Sequence, residues 1–249
     1  MKALRQAHGI EDVSSDIKTI PHDYDDLAGS LMTAIDAELD SGNGLKWKQS
    51  NGFTASGNND CLRYLGYRLR GFEQKENFSP QLRRVFDNGH SFEDRVDKYF
   101  NALGIVVDRE RELTNDKPPL RGFVDFVIDW HGEKPVELKT INDMGFQYRK
   151  TYKKPSDHHY RQLQVYLEVG GWDSGFVFYE NKNNQEMQIF YVVKNQPYID
   201  KLFAKWNKIY AAHESGILSI RPYKQTSKKC QGCDAYDYCW SDTVEGEKL

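Results

Sequence analysis

The chain has no run of apolar residues approaching the ~18 needed to span a bilayer. Its first residues, MKALRQAHGIEDVSSDI, hold no apolar stretch of signal-peptide length. Both absences point to a cytosolic location and no membrane partner. Neither charge is in strong excess: 34 Lys and Arg stand against 37 Asp and Glu, a formal net charge of −3. That excludes a protein that coats nucleic acid over its whole surface, although a local basic groove is compatible with it. No GxxxxGK[ST] loop is present, so a nucleotide-driven motor would have to be a separate partner. No internal repeat is visible. Cysteine is scarce, with four in 249 residues. In a reducing compartment four thiols are ligands or simple thiols rather than disulfides. Hydrophobic residues make up 39%, a low share offset by 15 Tyr, 13 Phe and 5 Trp. The length suits one large domain with small appendages.

Residues 1–22 read as irregular. The stretch 23–42 places Leu27, Leu31, Ile35 and Leu39 four apart, a helical stripe with Gly42 as a stop. Residues 41–60 read as a polar, glycine-rich loop, and a helix is expected from about Asn59 or Asp60 through CLRYLGYRLRGF. Residues 1–54 therefore form an N-terminal helical or irregular segment, followed by one domain over 55–249. A long helix is expected over 80–104 with Val85, Phe92, Val96, Phe100 and Leu103 on its buried side; Gly89 inside it suggests a close approach. IVVDRERELT reads as an edge strand. Residues 157–171 read as a helix closed by Gly170 and Gly171, 175–180 and 186–193 as a hairpin, and 195–216 as an amphipathic helix. The order predicts a mixed α/β sheet flanked by helices.

The stretch GFVDFVIDWHGEKPVELKT (122–140) reads as two strands joined by a turn, yet it sets Asp125, Glu137 and Lys139 among core residues. Residues two apart in a strand share a face, so Glu137 and Lys139 point one way, and Asp125 is expected to join Phe123 and Val127 on the same face. Two carboxylates held together repel unless a cation sits between them. Mg²⁺ accepts one or two carboxylates and keeps waters for a substrate phosphate. The alternative is a solvated hairpin face with a Glu–Lys pair.

These residues resemble the D…ExK core of the PD-(D/E)XK nuclease superfamily, and within it the RecB-like nucleases; Val124 stands where a proline is usual. FDNGHSFEDRV resembles the helix that precedes that core, with Glu93 in the slot of the usual metal-ligating histidine, and His90 lies a turn away. Gln162 and Tyr166 match the Q-x-x-x-Y signature, one helix face at i,i+4. The resemblance covers roughly residues 55–240. It implies a restriction-endonuclease-like fold and Mg²⁺ or Mn²⁺ held by Glu93, Asp125, Glu137 and the Leu138 carbonyl. Lys139, Gln162 and Tyr166 complete the catalytic set. The implied activity is a DNA exonuclease acting on single strands or ends, with a helicase or a recombination or adaptation protein as partner. Rival readings are a DNA-binding subunit with a vestigial centre and a zinc-stapled interaction protein.

Cys230, Cys233 and Cys239 cluster near the C-terminus and Cys61 stands alone about 170 residues earlier. A zinc ribbon would show two paired knuckles. One cysteine before the core and three after it is similar to the iron–sulphur members of the RecB-like group. That resemblance implies a [4Fe–4S] cluster stapling N- and C-terminal segments into a lobe, with structural zinc as the other reading. The segment FQYRKTYKKPSDHHYRQ (146–162) joins the ExK strand to the Gln162 helix. Its Arg149, Lys150, Lys153, Lys154 and Arg161, interleaved with tyrosines, are expected to meet DNA phosphates and bases. A solvated basic loop is the alternative.

Overall fold

The computed structural model describes residues 23–40, 52–57, 61–72 and 78–249. The chain divides into two compact units, one of residues 1–46 and 78–83, the other of 47–77 and 84–249. In the first unit helix α1 spans Asp23–Asp40. Its stripe forms as the spacing predicts, but Leu27, Leu31 and Ile35 are exposed. The readings of residues 1–22 and of Gly42 lie outside the described residues.

The second unit is built on a mixed sheet, six-stranded among the described residues. Its elements are β1 (Phe53–Thr54), α2 (Leu62–Leu69), α3 (Pro80–Ala102, of which 84–102 belong to this unit), β2 (Val106–Asp116), β3 (Pro119–Asp129), β4 (Glu133–Ile141), α4 (Asp143–Tyr152) and α5 (Asp157–Val169). Then come β5 (Ser174–Asn181), β6 (Met187–Val193), α6 (Gln196–Glu214), α7 (Lys228–Gln231) and α8 (Tyr236–Ser241). Helices α2, α5 and α6 cover one face around Val124, Val127, Leu163, Leu167, Val177 and Trp206. Helix α3 covers the other with Phe92, Val96 and Phe100 against Phe126, Val136, Leu138 and Phe178.

Three expectations are corrected. The glycine-rich stretch contains β1, which pairs parallel with β3 at Leu120 and Arg121. Phe53 is fully buried and stacks on Trp206, ring centroids 5.1 Å apart; two residues are too few to show an alternation. Helix α2 starts at Leu62, with Cys61 in the N-cap position. On α3, Val85 and Leu103 are exposed. Leu103 follows the helix end, and Val85 lies two turns before Phe92, beyond the stretch that faces the sheet.

A Cβ added at Gly89 would meet no atom of the described residues within 4 Å, so no close approach of backbone among them explains it. Replacing Gly89 with Ala is expected to stabilise the protein by about 1 kcal/mol through helix propensity alone, measured by urea unfolding; a loss of stability would show that something packs there.

The sheet is not continuous through its centre, and this positions the site. On one flank β3 pairs with β2 along most of its length, which makes β2 the edge strand its sequence suggests. On the other flank β3 pairs with β1 at 120–121 and with β4 only from Phe126↔Val136 to Asp129↔Glu133. Beyond Val136, β4 continues beside β5 through Ile141. Strands β3 and β4 therefore fork, and residues 122–125 of β3 face the gap.

Alternation slips at the same place. Arg109 lies over Phe126 and Arg111 over Trp172, which belong to opposite faces, although the two arginines are two residues apart. Val124 and Val127, three apart, pack in one cluster while Phe126 joins the other. The β2–β3 pairing passes over Glu110 and Asp125, and Glu110 has φ 51°. The strict alternation expected along Phe123, Asp125 and Val127 does not hold over this stretch of β3, and Asp125 sits at the break.

Candidate active site at the strand fork

Asp125 occupies the fork. Its Oδ2 accepts a hydrogen bond from the Leu138 backbone N–H at 2.6 Å. A side chain thus takes the donor that a regular ladder would give to the neighbouring strand, and it ties β3 to β4 just past their last pair. Glu137, one residue before Leu138, is fully buried. Lys139 Nζ contacts its carboxyl, an ion pair once Glu137 ionises, and no other donor among the described residues reaches the Glu137 oxygens. Glu93 lies on α3, half-buried. The same helix is fixed to the sheet by Arg95, whose guanidinium meets both oxygens of the buried Glu180 at 2.6 Å.

The electrostatics show that these groups share one neighbourhood. Desolvation raises the Glu137 pKa to about 8, with the Asp125 charge adding to the rise and Lys139 opposing it. Asp125 is raised by desolvation, against the pull of Lys139 and the Leu138 N–H, and Glu110 adds to the rise. Glu93 is raised by desolvation and by the charge of Asp125; His90 and Lys139 act in the other direction. Burial works against the Lys139 ammonium, but Glu137 and Asp125 outweigh it and hold its pKa above the ordinary lysine range. Burial and mutual repulsion thus disfavour the charged form of all three carboxylates, a conflict that a divalent cation would remove. Among the described residues no group of three or more His, Cys, Asp or Glu is drawn close enough to grip an ion as placed; binding would need the side chains to draw inward.

The raised Glu137 has a consequence for stability. Without metal, native Glu137 keeps its proton up to about pH 8, whereas an unfolded glutamate loses it near 4.5. Between these values the native state binds more protons, so stability falls as pH rises, by at most about 1.36 kcal/mol per unit. Urea unfolding at pH 5.5 to 7.5 should show this decline in EDTA and a shallower one with Mn²⁺. A flat profile in EDTA would contradict the buried, protonated carboxyl.

Gln162 and Tyr166 close the gap from α5. The Tyr166 hydroxyl donates to the Phe123 carbonyl at 2.7 Å, within the unpaired stretch of β3. Its proton is thereby used, so it accepts from Gln162 Nε2 at 3.0 Å. This leaves Gln162 Oε1 buried with no donor among the described residues. Gly122 lets the ring approach: a Cβ there would stand 3.0 Å from Tyr166 Cε1.

The basic segment is mostly helical: α5 takes 157–162 as expected, and α4 takes 146–152, which its sequence did not show. Asn142 caps α4 by accepting from Gly145 N–H, and Phe146 alone is buried, so no apolar stripe marks the helix. Tyr148 and Tyr152 form an exposed pair with centroids 4.3 Å apart, and Arg149 lies 4.4 Å over Tyr148. Arg149 also donates to the Pro155 carbonyl, Lys150 pairs with Glu186, and Lys154 is 3.5 Å from Asp157. Lys153 caps α4 in the left-handed conformation and is exposed. Arg161 is turned to the Gly57 carbonyl.

The four cysteines, far apart in sequence, line one cavity of about 400 Å³ together with Tyr64, Tyr67 and Trp240. None is in a disulfide. Burial raises the Cys61 thiol pKa, opposed by backbone N–H groups, and Cys239 and Cys230 add to the rise. The tail that carries three of them is also anchored without any crosslink. Arg63, fully buried, donates to Tyr67, Asp242 and the Ser219 carbonyl at 2.7 to 2.9 Å. Arg221 donates to the Cys239 carbonyl at 2.6 Å. Sequence reasoning passed over both arginines, which carry no recognisable spacing. Among the described residues no helix is long and apolar enough to cross a membrane.

No known protein family profile and no curated protein matches the chain. Solved structures do. The alkaline exonuclease LHK-Exo from Laribacter hongkongensis superposes with a TM-score of 0.51 at 14% identity, covering 68% of this chain and 90% of that one. The same exonuclease in complex with dAMP gives 0.52 at 15%, covering 67% and 89%. A phage-related exonuclease from Haemophilus somnus 129PT gives 0.43 at 12%, covering 62% and 81%, too loose a likeness to carry weight. At such identities the likeness is one of architecture: this chain has the mixed, helix-flanked sheet of a solved exonuclease.

Proposed function

We propose that the chain is a divalent-metal-dependent DNA exonuclease acting on single strands or ends. The observation that carries this reading is the fork: one half-buried and one buried carboxylate from separating strands, a third from α3, and a lysine, set in mutual electrostatic conflict. The fold likeness to an alkaline exonuclease supports the reaction class. Glu93, Asp125, Glu137 and the Leu138 carbonyl offer the oxygen ligands that Mg²⁺ or Mn²⁺ prefers, and the ion would neutralise phosphoryl charge and acidify the attacking water. Lys139 keeps its proton in this setting, so it orients water and stabilises developing charge rather than acting as a base. Gln162 Oε1, an acceptor with no donor among the described residues, is suited to hold a water or a sugar hydroxyl. Incubating end-labelled single-stranded DNA with the protein and Mn²⁺ tests the proposal: mononucleotide release is expected, and no hydrolysis of any DNA would end it.

Helix α4 follows the ExK strand directly, so its exposed tyrosines and cations stand beside the fork. Stacking of an unpaired base is worth about 1–3 kcal/mol. Tyr148→Ala with Tyr152→Ala should weaken single-strand binding about 10- to 100-fold in polarisation assays and leave duplex binding nearly unchanged. Equal losses on both substrates would remove the single-strand preference.

For the cysteines we infer a [4Fe–4S] cluster. The four thiols lining one cavity support it, as does the one-plus-three order of the cysteines; since no three of them are close enough to grip a metal as placed, their side chains would draw inward on binding. With no motor loop of its own, the nuclease would rely on a separate helicase or recombination partner for unwinding.

A further inference from the structure

His159 stands on α5, three residues before Gln162, and is half-buried. It is fixed twice. Its backbone N–H donates to the N-cap Ser156 Oγ at 3.2 Å, and its ring Nδ1 lies 2.6 Å from the Tyr179 hydroxyl. Tyr179 is fully buried on β5, in register with Lys139 of β4. Its hydroxyl accepts from the Ser156 backbone N–H at 3.1 Å. A buried hydroxyl must also place its own proton; Ser156 Oγ, which also bonds it, already accepts the His159 N–H and has a proton to give, so Nδ1 at 2.6 Å is the acceptor left for it. Nδ1 therefore accepts and the imidazole proton resides on Nε2. No protein partner takes Nε2 among the described residues, and it is not sealed from solvent.

The surroundings keep the ring neutral. Burial comes first, then the Lys139 ammonium on β4; His158 on α5 and Arg149 on α4 add their charge. His158 does not compete for the role, because its Nε2 is engaged by the Ser56 carbonyl at 2.9 Å. A neutral N–H donor beside a cation on the ExK strand is chemistry for an anionic oxygen.

We propose that His159 is a further substrate-binding residue of the same centre: its Nε2–H donates to a non-bridging oxygen of the DNA phosphodiester held beside Lys139. This rests on the nuclease reading above. A neutral donor suits this position because a second full cation would compete with the divalent ion for the carboxylates.

The test has two arms on the full-length protein. Imidazole nitrogen NMR of the ¹⁵N-histidine-labelled chain, assigned with His159→Gln, should show a neutral ring with the proton on Nε2 at pH 6, and Tyr179→Phe should release the opposite tautomer. An imidazolium at pH 6, or a proton on Nδ1, overturns the proposal whatever the activity. In the second arm, His159→Ala should lower kcat/KM on single-stranded DNA with Mn²⁺ about 10- to 100-fold. His159→Gln, which can still present an N–H, should recover at least part of that loss, with both variants as stable as the parent in urea. Unchanged activity in His159→Ala, or equal losses in Ala and Gln, also overturns it. If the parent hydrolyses no DNA, the nuclease reading fails as well, and the NMR arm reports separately whether the tautomer was assigned correctly.

Discussion

Asp125→Asn is expected to remove Mn²⁺-dependent DNA hydrolysis, lowering kcat/KM by about 10³-fold or more while leaving the fold intact. The substitution is chosen for the fork. An asparagine Oδ1 still accepts from the Leu138 N–H that now bonds the aspartate at 2.6 Å, so the tie between β3 and β4 survives. What is lost is one negative charge beside Glu137 and Glu93. Loss of a ligand charge from a site that stabilises phosphoryl transfer costs several kcal/mol, and each 1.36 kcal/mol is about tenfold. A second effect has the opposite sign. Because the Asp125 charge helps to raise Glu93 and Glu137, the variant should be more stable than the parent in EDTA at pH 7.5. Activity retained within tenfold would mean that Asp125 is structural.

Cys239→Ser is expected to strip most of the iron and to lower stability by about 4–5 kcal/mol, the chain-entropy value for releasing a crosslink across so long a loop. The parent protein, purified without oxygen, should carry about four irons per chain. Zinc in their place would support a structural zinc site. The Arg63 contacts to Ser219 and Asp242 limit the damage: the tail should stay docked on α2 after the cluster is gone. Arg63→Met should therefore be destabilising even in the loaded protein, since it leaves the buried Ser219 carbonyl and the Asp242 carboxylate without the guanidinium.

The two strands of the central hairpin were legible because apolar residues crowd both, and the cysteine convergence because three lie within ten residues of one another. The fork was not. Strict alternation predicts opposite faces for Val124 and Val127, and the break at Glu110 and Asp125 puts them on one. That slip comes from two strands turning together and leaves no mark in either sequence alone. Strand β1 and helix α4 were hidden for a related reason: each buries one large residue, Phe53 and Phe146, too few to set a period. His159 and Tyr179 lie twenty residues apart and meet only because β5 runs beside β4. The position of His159 one turn before Gln162 was the available signal. Glu110, whose charge reaches Asp125, was absorbed into an edge strand and had no signal at all.

The central claim is that Glu93, Asp125 and Glu137 close around a divalent ion. Titrating Mn²⁺ into the protein at pH 7.5, with free ion followed by electron paramagnetic resonance, measures this without any substrate. Saturable binding that weakens at least tenfold in Glu137→Gln is the predicted result. Binding that is absent in the parent, or unchanged in the variant, would contradict the account.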